Sequence, residues 1–250
     1  MKIATWNVNG IRARESQFVD WIAEEKPDVI CLQETKAPPD KVPETIVALD
    51  GYVCRWHGVG GYSGVALHAR TGSSAAAAEF GHPPFDFESR VITADIDNLQ
   101  IMSVYVPNGG KDFDAKMRFL GDLRDHVRSV HAAGRHLVIC GDINIAHRDI
   151  DVHPKERKPG KAIGQLPEER EMLDSILSSG LVDLGRHFDP DNEELFTWWA
   201  PWRNLRQRNI GWRIDYILVS KPLVARSSGC AVRRMIGTSD HAPVVATIDL

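Results

Sequence analysis

The hydrophobic positions of this chain fall into short apolar runs that alternate with amphipathic segments and turn residues. The segment from Glu15 to Glu25 predicts a helix, because Phe18, Trp21 and Ile22 recur on one helical face. Similar patterns predict helices over Asp112 to Ala133 and Pro167 to Ser178. The apolar runs predict strands at Lys2 to Asn7, Val29 to Leu32, Tyr52 to Trp56, Gly64 to Ala69, Arg90 to Asp97, Leu99 to Val106, His136 to Cys140, Asp215 to Val219 and Pro243 to Ile248.

Both halves of the chain mix strands with helices, and no linker rich in proline or glycine separates them. The 250 residues, of which 43% are hydrophobic and 26% charged, suffice for one domain with a sizeable core. We therefore predict one α/β domain over residues 1–250, in which two mixed β-sheets pack together and helices cover their outer faces. Two long basic loops, Lys155 to Gly164 and Trp202 to Gly211, are functional candidates, because long loops in compact domains are usually functional or mobile.

Charge, cysteine content and hydropathy limit the possible binding partners and the cellular compartment. The net charge of −4 gives no overall attraction to nucleic acid, so any such surface must be a local basic patch. The cysteines are far apart and favour buried free thiols over zinc ligands or disulfides: Cys31, Cys54, Cys140 and Cys230. The chain opens directly into a strand, and no apolar run approaches the roughly 18 residues of a membrane span. We expect a cytoplasmic protein without a membrane segment.

Acids and amides stand repeatedly at the ends of predicted strands. The groups are Asn7 with Asn9, Gln33 with Glu34, Asp142 with Asn144, Asp215, and Asp240 with His241. This repetition predicts one convergent site. Oxygen ligands and amide donors of this kind suit a divalent metal and a phosphate.

Three of these residues have defined chemical uses, each with a plainer alternative. Glu34 offers the carboxylate that Mg²⁺ takes from proteins, or it is a surface glutamate beside Lys36. Asp142 and Asn144 share a face if the backbone is extended, so one can deprotonate a water while the other donates to a phosphoryl oxygen. Alternatively, these two residues form an ordinary turn.

His241 and Tyr105 complete the candidate chemistry. A histidine beside a phosphate is held protonated, and Asp215 is a candidate to orient the ring of His241. The alternative for His241 is a turn hydrogen bond with Asp240. Tyr105 closes a predicted strand and can assist a leaving group or bond a phosphate, although half-buried strand tyrosines are more often structural.

Tryptophans and arginines interleave in the last quarter of the chain. The residues are Trp198, Trp199, Trp202 and Trp212 with Arg203, Arg206, Arg208 and Arg213. Rings that stack or wedge and guanidinium groups that take phosphates suit nucleic acid, whereas ordinary core packing is the alternative. We expect one of Trp198 and Trp199 to be core in either case. A second basic group is either a phosphate contact or a solvated face: Lys155, Arg157, Lys158 and Lys161.

Seven motifs occur in the same order as in a known enzyme family. They are Trp6 to Arg12, Leu32 to Lys36, Gly61 to Val65, Tyr105 to Gly109, Gly141 to His147, Gly211 to Tyr216 and Ser239 to Pro243, with Pro167 to Arg170 in addition. Together they resemble the exonuclease III family of abasic (AP) endonucleases, and the resemblance runs from Lys2 to Leu250. It implies a four-layered α/β sandwich that hydrolyses duplex DNA 5′ to abasic sites with Mg²⁺, or with Mn²⁺ as an alternative ion. Many members also remove 3′-blocking groups or act as 3′→5′ exonucleases.

The resemblance also implies roles for individual residues. Glu34 would be the principal metal ligand, with Asn9 and Asp240 near the metal; some members carry Asp where this chain has Asn9. Catalysis would fall to Asp142 as base, with His241, Asp215, Tyr105, Asn108, Asn144 and Asn7 around the phosphate. DNA contacts and the sugar pocket would involve Trp198, Trp202, Arg206, Arg208, Asn209, Trp212, Ile214 and Tyr62.

The implied partner is duplex DNA with abasic sites or blocked 3′ ends, bound by a monomer located at the bacterial nucleoid. Two other functions compete with this expectation. One is a phosphodiesterase of the wider endonuclease/exonuclease/phosphatase superfamily that acts on a non-DNA substrate. The other is a catalytically silent DNA-binding module. The segment from Gly211 to Tyr216 disfavours the first, and the complete catalytic set disfavours the second.

Overall fold

The computed structural model describes residues 1–249 and contains two six-stranded mixed β-sheets. In spatial order, the first sheet comprises β11 (Ser227–Val232), β12 (Val244–Ile248), β1 (Lys2–Asn7), β2 (Val29–Gln33), β4 (Val65–Arg70) and β3 (Tyr52–His57). The second comprises β5 (Glu79–Gly81), β6 (Val91–Ile96), β7 (Leu99–Tyr105), β8 (His136–Asp142), β10 (Asp215–Ser220) and β9 (Leu181–Asp183). The pairs β1–β2 and β7–β8 are parallel, and the other neighbours are antiparallel.

Six helices accompany these sheets within the described residues. They are α1 (Glu15–Glu25), α2 (Glu44–Val47), α3 (Phe113–Ala132), α4 (Pro167–Ser178), α5 (Leu184–Phe188) and α6 (Lys221–Val224). The N-terminus of α3 is capped by Asp112, whose Oδ1 accepts a hydrogen bond from the backbone N–H of Ala115 at 2.8 Å. No helix in the described part of the chain has the length and apolar character needed to cross a bilayer.

Three apolar cores hold the layers together. Side chains such as Ile3, Val29 and Val138 fill the space between the two sheets. On the outer face of the first sheet, α1 and α2 contribute apolar side chains to a core with β1, β2 and β4. On the outer face of the second sheet, α3 and α4 do the same. The order helix, sheet, sheet, helix confirms the predicted α/β sandwich.

The predicted strands and helices are all present, with ends shifted by at most two residues. The residue pattern did not predict β5, β9 and β11, because β5 and β9 are only three residues long and β11 is a partly exposed edge strand. All four cysteines are free thiols, as predicted, but the prediction of burial holds fully only for Cys31 and Cys140; Cys54 and Cys230 are half-buried.

Candidate active site

The ends of five strands meet at one edge of the sandwich and bring the predicted polar residues together. Asn7 ends β1 and pairs with Gln33 at the end of β2. In the second sheet, Tyr105 lies beside Asp142 at the ends of β7 and β8, and Asp215 lies opposite Asp142 at the start of β10. The carboxyl ends of the parallel strands in both sheets, β1 and β2 in one and β7 and β8 in the other, therefore lie at the same edge of the sandwich.

Glycine permits the close approach of two strands beneath this edge. Gly141 has φ +144°, and a Cβ added there would lie 2.0 Å from the carbonyl oxygen of Val104 on the neighbouring strand. The two sheets are also linked by Gln33, whose Nε2 donates to the hydroxyl oxygens of Thr5 and Ser103, both at 3.0 Å. These contacts set the spacing of the strands at the end of β8, where Asp142 lies.

Asp142 is the centre of the polar network. Its Oδ2 accepts from Nδ2 of Asn7 at 2.9 Å and from Nδ2 of Asn144 at 3.3 Å, and its Oδ1 accepts from the backbone N–H of Asn144 at 2.9 Å. Asn144 has φ +55°, so these two residues form a turn rather than the extended segment considered from the sequence. Burial raises the pKa of Asp142, and nearby Asp215 and Glu34 raise it further against the opposing charge of His241. In its ionised form, which the charge of His241 favours, a carboxylate with a raised pKa is a better proton acceptor.

His241 is held between two carboxylates. Its Nδ1 lies 2.9 Å from Oδ2 of Asp215, and its Nε2 lies 3.8 Å from Oδ2 of Asp142. Burial alone would lower the pKa of His241, but the negative charges of Asp215 and Asp142 raise it. The ring is therefore protonated at neutral pH, with its Nε2–H directed into the site.

Glu34 is a suitable first ligand for a divalent cation. Its ligand atom lies within 4.8 Å of those of Asp142 and His241. Burial would raise the pKa of Glu34, but hydrogen bonds from Nδ2 of Asn7 at 3.0 Å and from Lys36 lower it, so the carboxylate is charged. The charged carboxylate of Glu34 is partly exposed and offers the oxygen donors that Mg²⁺ prefers, so this residue fits the ion.

The other two predicted metal neighbours lie at the rim of this group. Nδ2 of Asn9 donates to Oδ1 of Asp240 at 2.7 Å, and Oδ2 of Asp240 accepts from Nε1 of Trp198 at 3.0 Å. Oδ1 of Asn9 accepts from Nζ of Lys36, which also pairs with Glu34. Asp240 is thus oriented by two donors and lines the same cavity as Glu34.

A cavity of about 350 Å³ opens directly onto these groups. Its walls combine the catalytic candidates with apolar side chains: Glu34, Tyr105, Asn108, Asp142, Asn144, Ile163, Trp198, Trp212, Ile214, Asp240 and His241. The rings of Trp198 and Trp212 meet edge to face with centroids 5.5 Å apart. Trp199, in contrast, is buried in the core, which confirms that one residue of the pair is structural. The cavity therefore has a polar floor and an apolar side.

Tyr105 also lines this cavity, and its ring packs against Arg90. The guanidinium of Arg90 lies 4.8 Å from the Tyr105 ring centroid and donates to the hydroxyl oxygen of Tyr62 at 2.7 Å. Burial and the carboxylates of Glu34 and Asp142 raise the pKa of Tyr105, so its phenol keeps its proton. Tyr62 is half exposed, at 53%, and lines a larger neighbouring cavity of about 660 Å³ with Arg90 and Tyr105.

A fully buried ion pair lies beneath the site and was not predicted. Nζ of Lys116 lies 2.5 Å from Oε1 of Glu169 and donates to the carbonyl oxygens of Asn108 at 3.1 Å and Asn144 at 2.8 Å. Oε2 of Glu169 accepts from the backbone N–H of Gly164 at 2.6 Å. Lys116 therefore fixes the backbone of two site residues without facing the cavity.

The predicted DNA-contact residues of the loop from Trp202 to Gly211 differ in their environments. Trp202 is 60% exposed and Arg208 is exposed, as a DNA contact requires. The guanidinium of Arg206 donates to the carbonyl oxygens of Arg234, Ile236, Ser239 and His241 and lies 5.1 Å from the Trp199 ring centroid.

We therefore revise the expectation for Arg206, because its donors are engaged by carbonyl groups and it anchors the loop instead of reaching for phosphate. Asn209 is engaged in the same way. Its Oδ1 accepts from Nε1 of Trp199 at 3.2 Å, and its Nδ2 donates to the carbonyl oxygen of Glu194 at 3.1 Å.

Comparison with known proteins agrees with this geometry. A sequence model of the Endonuclease/Exonuclease/phosphatase family matches residues 4–241. Recombination repair protein 1 of Drosophila melanogaster is 37% identical over 250 residues, which span 98% of this chain but only 36% of that protein. The exodeoxyribonuclease of Bacillus subtilis is 35% identical over 259 residues, with 100% of both chains covered.

Solved structures give the same result. An AP endonuclease from Archaeoglobus fulgidus has a TM-score of 0.87 at 32% identity, and the 3′ phosphatase NExo from Neisseria, bound to a product DNA hairpin, has a TM-score of 0.89 at 34% identity. In both comparisons 100% of each chain is covered. The chain therefore belongs to the endonuclease/exonuclease/phosphatase family, within its exonuclease III group of AP endonucleases.

Proposed function

We propose that this nuclease is a Mg²⁺-dependent DNA-repair hydrolase that cleaves the phosphodiester 5′ to abasic sites in duplex DNA. The observation that carries the proposal is the joint placement of a base, a protonated histidine and a charged metal ligand at one cavity. Asp142, His241 and Glu34 have ligand atoms within 4.8 Å of one another, and the two tryptophans of the same cavity provide an apolar wall.

Each residue has a step that its environment suits. Asp142, with a raised pKa, takes the proton of the attacking water, while Asn7 and Asn144 hold its carboxylate. His241, oriented by Asp215, donates from Nε2 to a non-bridging oxygen of the phosphate. Tyr105, as a neutral phenol, hydrogen-bonds the phosphate near the leaving oxygen. The bound divalent cation, held by Glu34, would supply Lewis-acid stabilisation of the charge that develops on the phosphate.

Selection of abasic sites would come from the cavity between Trp198, Trp212 and Ile214. A sugar that has lost its base would pack against the apolar side chains of this cavity. Rotation of a nucleotide out of the duplex is also cheapest where no base stacks or pairs. The exposed Trp202 and Arg208, together with Tyr62 at the neighbouring cavity, are proposed to contact the DNA beyond the lesion.

A second candidate activity acts at 3′ ends, as a 3′→5′ exonuclease or 3′ phosphatase. It is favoured by the similarity to NExo, whose structure contains a product DNA hairpin, and to the Bacillus subtilis exodeoxyribonuclease. The same phosphate-binding residues would serve both reactions. We propose that residues 1–250 act as one domain and as a monomer, with Mg²⁺ and with Mn²⁺ as a substitute. Location in the cytoplasm beside the nucleoid stays a prediction.

The test is a comparison of Asp142→Asn with the wild-type protein on a duplex that contains one abasic-site analogue. Because the substitution removes the proton acceptor, kcat should fall by about 10²–10⁴-fold while DNA binding is retained. Asp174→Asn is the matched control, because Asp174 is an exposed carboxylate that pairs with His147 at 2.6 Å outside the site. Near wild-type cleavage by Asp142→Asn would remove Asp142 as the base.

A further inference from the structure

We propose that His57, His82 and Asp86 form a second cation site, for a transition metal of the zinc class, at the edge of the sandwich. His57 is the last residue of β3, His82 directly follows β5, and Asp86 lies in the loop that leads to β6. The strands β3 and β5 are the outermost strands of the two sheets. The site therefore joins the two sheets at their open edges.

The three side chains already converge. Their ligand atoms lie within 4.8 Å of one another, and Nε2 of His57 is 2.6 Å from Oδ2 of Asp86. The rings of His57 and His82 face each other with centroids 3.9 Å apart and a tilt of 32°. The neighbouring strands are also in contact, since the guanidinium of Arg55 lies 5.2 Å from the Phe80 ring centroid.

The surroundings orient the ligand atoms as metal sites require. Oδ1 of Asp86 accepts the backbone N–H groups of Arg90 and Val91, both at 2.8 Å, which directs Oδ2 towards His57. Nδ1 of His82 lies 3.2 Å from the carbonyl oxygen of Val91. A proton on Nδ1 that bonds this carbonyl leaves the lone pair on Nε2 for a cation, which is the usual arrangement of metal-bound histidines.

The donor set selects the class of cation. Two imidazoles and one carboxylate suit zinc and its transition-metal neighbours, whereas Mg²⁺ prefers oxygen ligands alone. His82 is exposed and His57 and Asp86 are half-buried, so the cation can enter and a water can complete four-coordination. Zinc bonds of about 2.0–2.1 Å in tetrahedral geometry require the 2.6 Å contact between His57 and Asp86 to widen and the His82 ring to turn inward, and the exposure of these side chains allows both.

A second histidine–aspartate pair at the surface shows that the third side chain distinguishes the proposed cation site. His147 and Asp174 form a histidine–aspartate contact of the same length, 2.6 Å, at the surface. Among the residues that the structure describes, that pair belongs to no group of three metal-binding side chains. An ordinary ion pair between His57 and Asp86 would not require His82, so the third ligand separates the two explanations.

The test is zinc titration of the full chain in saturating Mg²⁺, read by competition with a chromophoric chelator. Glu34→Gln shows whether zinc binds the catalytic group instead, and His147→Gln reports ordinary surface binding. We expect His57→Gln and His82→Gln to weaken the tightest zinc site about tenfold or more, and the two controls to leave it unchanged. Cleavage of abasic DNA in Mg²⁺ by His82→Gln confirms that the variant is folded.

Three results would overturn the proposal. They are unchanged zinc affinity in either His57→Gln or His82→Gln, an equal loss in His147→Gln, and loss of the tight site in Glu34→Gln. A cobalt-substituted sample gives an independent measurement, since four-coordinate Co²⁺ absorbs strongly in the visible range. That absorption should appear in the wild-type protein and be absent from His82→Gln.

Discussion

The buried pair of Lys116 and Glu169 allows a quantitative test of how the site is supported. Both side chains have 0% exposure, and Nζ of Lys116 also donates to the carbonyl oxygens of Asn108 and Asn144. Lys116→Met keeps an unbranched side chain that lacks only the position of Nζ, and it leaves the carboxylate of Glu169 buried without its cation. Two backbone carbonyls lose their donor at the same time.

The cost follows from the burial of the unpaired charge. Removal of one partner from a buried ion pair typically costs about 3–5 kcal/mol. At about 2–4 °C per kcal/mol for a chain of this size, Tm should fall by roughly 6–20 °C. The double variant Lys116→Met with Glu169→Gln buries no charge, and the amide oxygen still accepts from the N–H of Gly164. Its loss should be smaller than the sum of the single losses by about 2 kcal/mol.

The assay is guanidinium chloride unfolding, followed by the fluorescence of the 7 tryptophans. Lys41→Met is the control, because Lys41 forms an exposed pair with Asp40 at 3.6 Å and should change the free energy of unfolding by less than about 1 kcal/mol. If Lys116→Met costs no more than the control, or if the double variant shows simple additivity, the ion pair does not support the site as described.

Two further predictions concern pH and salt. Burial lowers the pKa of His68 to about 3 from an ordinary value of 6.5. Below pH 6.5, His68 therefore binds a proton in the unfolded chain but stays neutral in the folded protein. The contribution of neutral His68 to the free energy of unfolding is therefore fully present above pH 6.5 and is lost as the pH falls towards 3. Between pH 7.5 and 5, the free energy of unfolding of His68→Leu, measured in urea, should fall by about 2 kcal/mol less than that of the wild type. Equal losses would contradict the assignment of His68 as a buried neutral histidine. Arg208→Gln should reduce the slope of log Kd against log salt for duplex DNA by about 1, whereas Arg206→Gln should mainly lower Tm; the reverse pattern would restore Arg206 as the phosphate contact.

The parts of the site that the sequence predicted are those that stand next to a strand in the chain. Glu34 and Asp142 follow clear apolar runs, and His241 precedes one, so their meeting at a sheet edge follows from the strand pattern. The same pattern predicted the two sheets and the covering helices. Short edge strands were missed because three residues carry no periodicity.

The remaining parts depend on partners that are distant in sequence. Lys116 and Glu169 are 53 residues apart, and on an amphipathic helix a lysine has the same pattern as one on a solvated face. Arg206 bonds backbone carbonyls, which every residue possesses, so its role leaves no trace in the residue pattern. The residue pattern also did not predict the contact between His57 and His82, because these residues meet only where the edges of the two sheets come together.

The most direct test of the central claim is the position of the cut. A duplex oligonucleotide with one abasic-site analogue, labelled separately at each end, is incubated with the protein in Mg²⁺ and in EDTA. The proposed function requires a single Mg²⁺-dependent cut immediately 5′ to the lesion, with a 3′-hydroxyl on the upstream fragment. An intact lesion, with only a ladder of shortened strands or loss of a 3′-phosphate, would contradict it and assign the site to 3′-end processing.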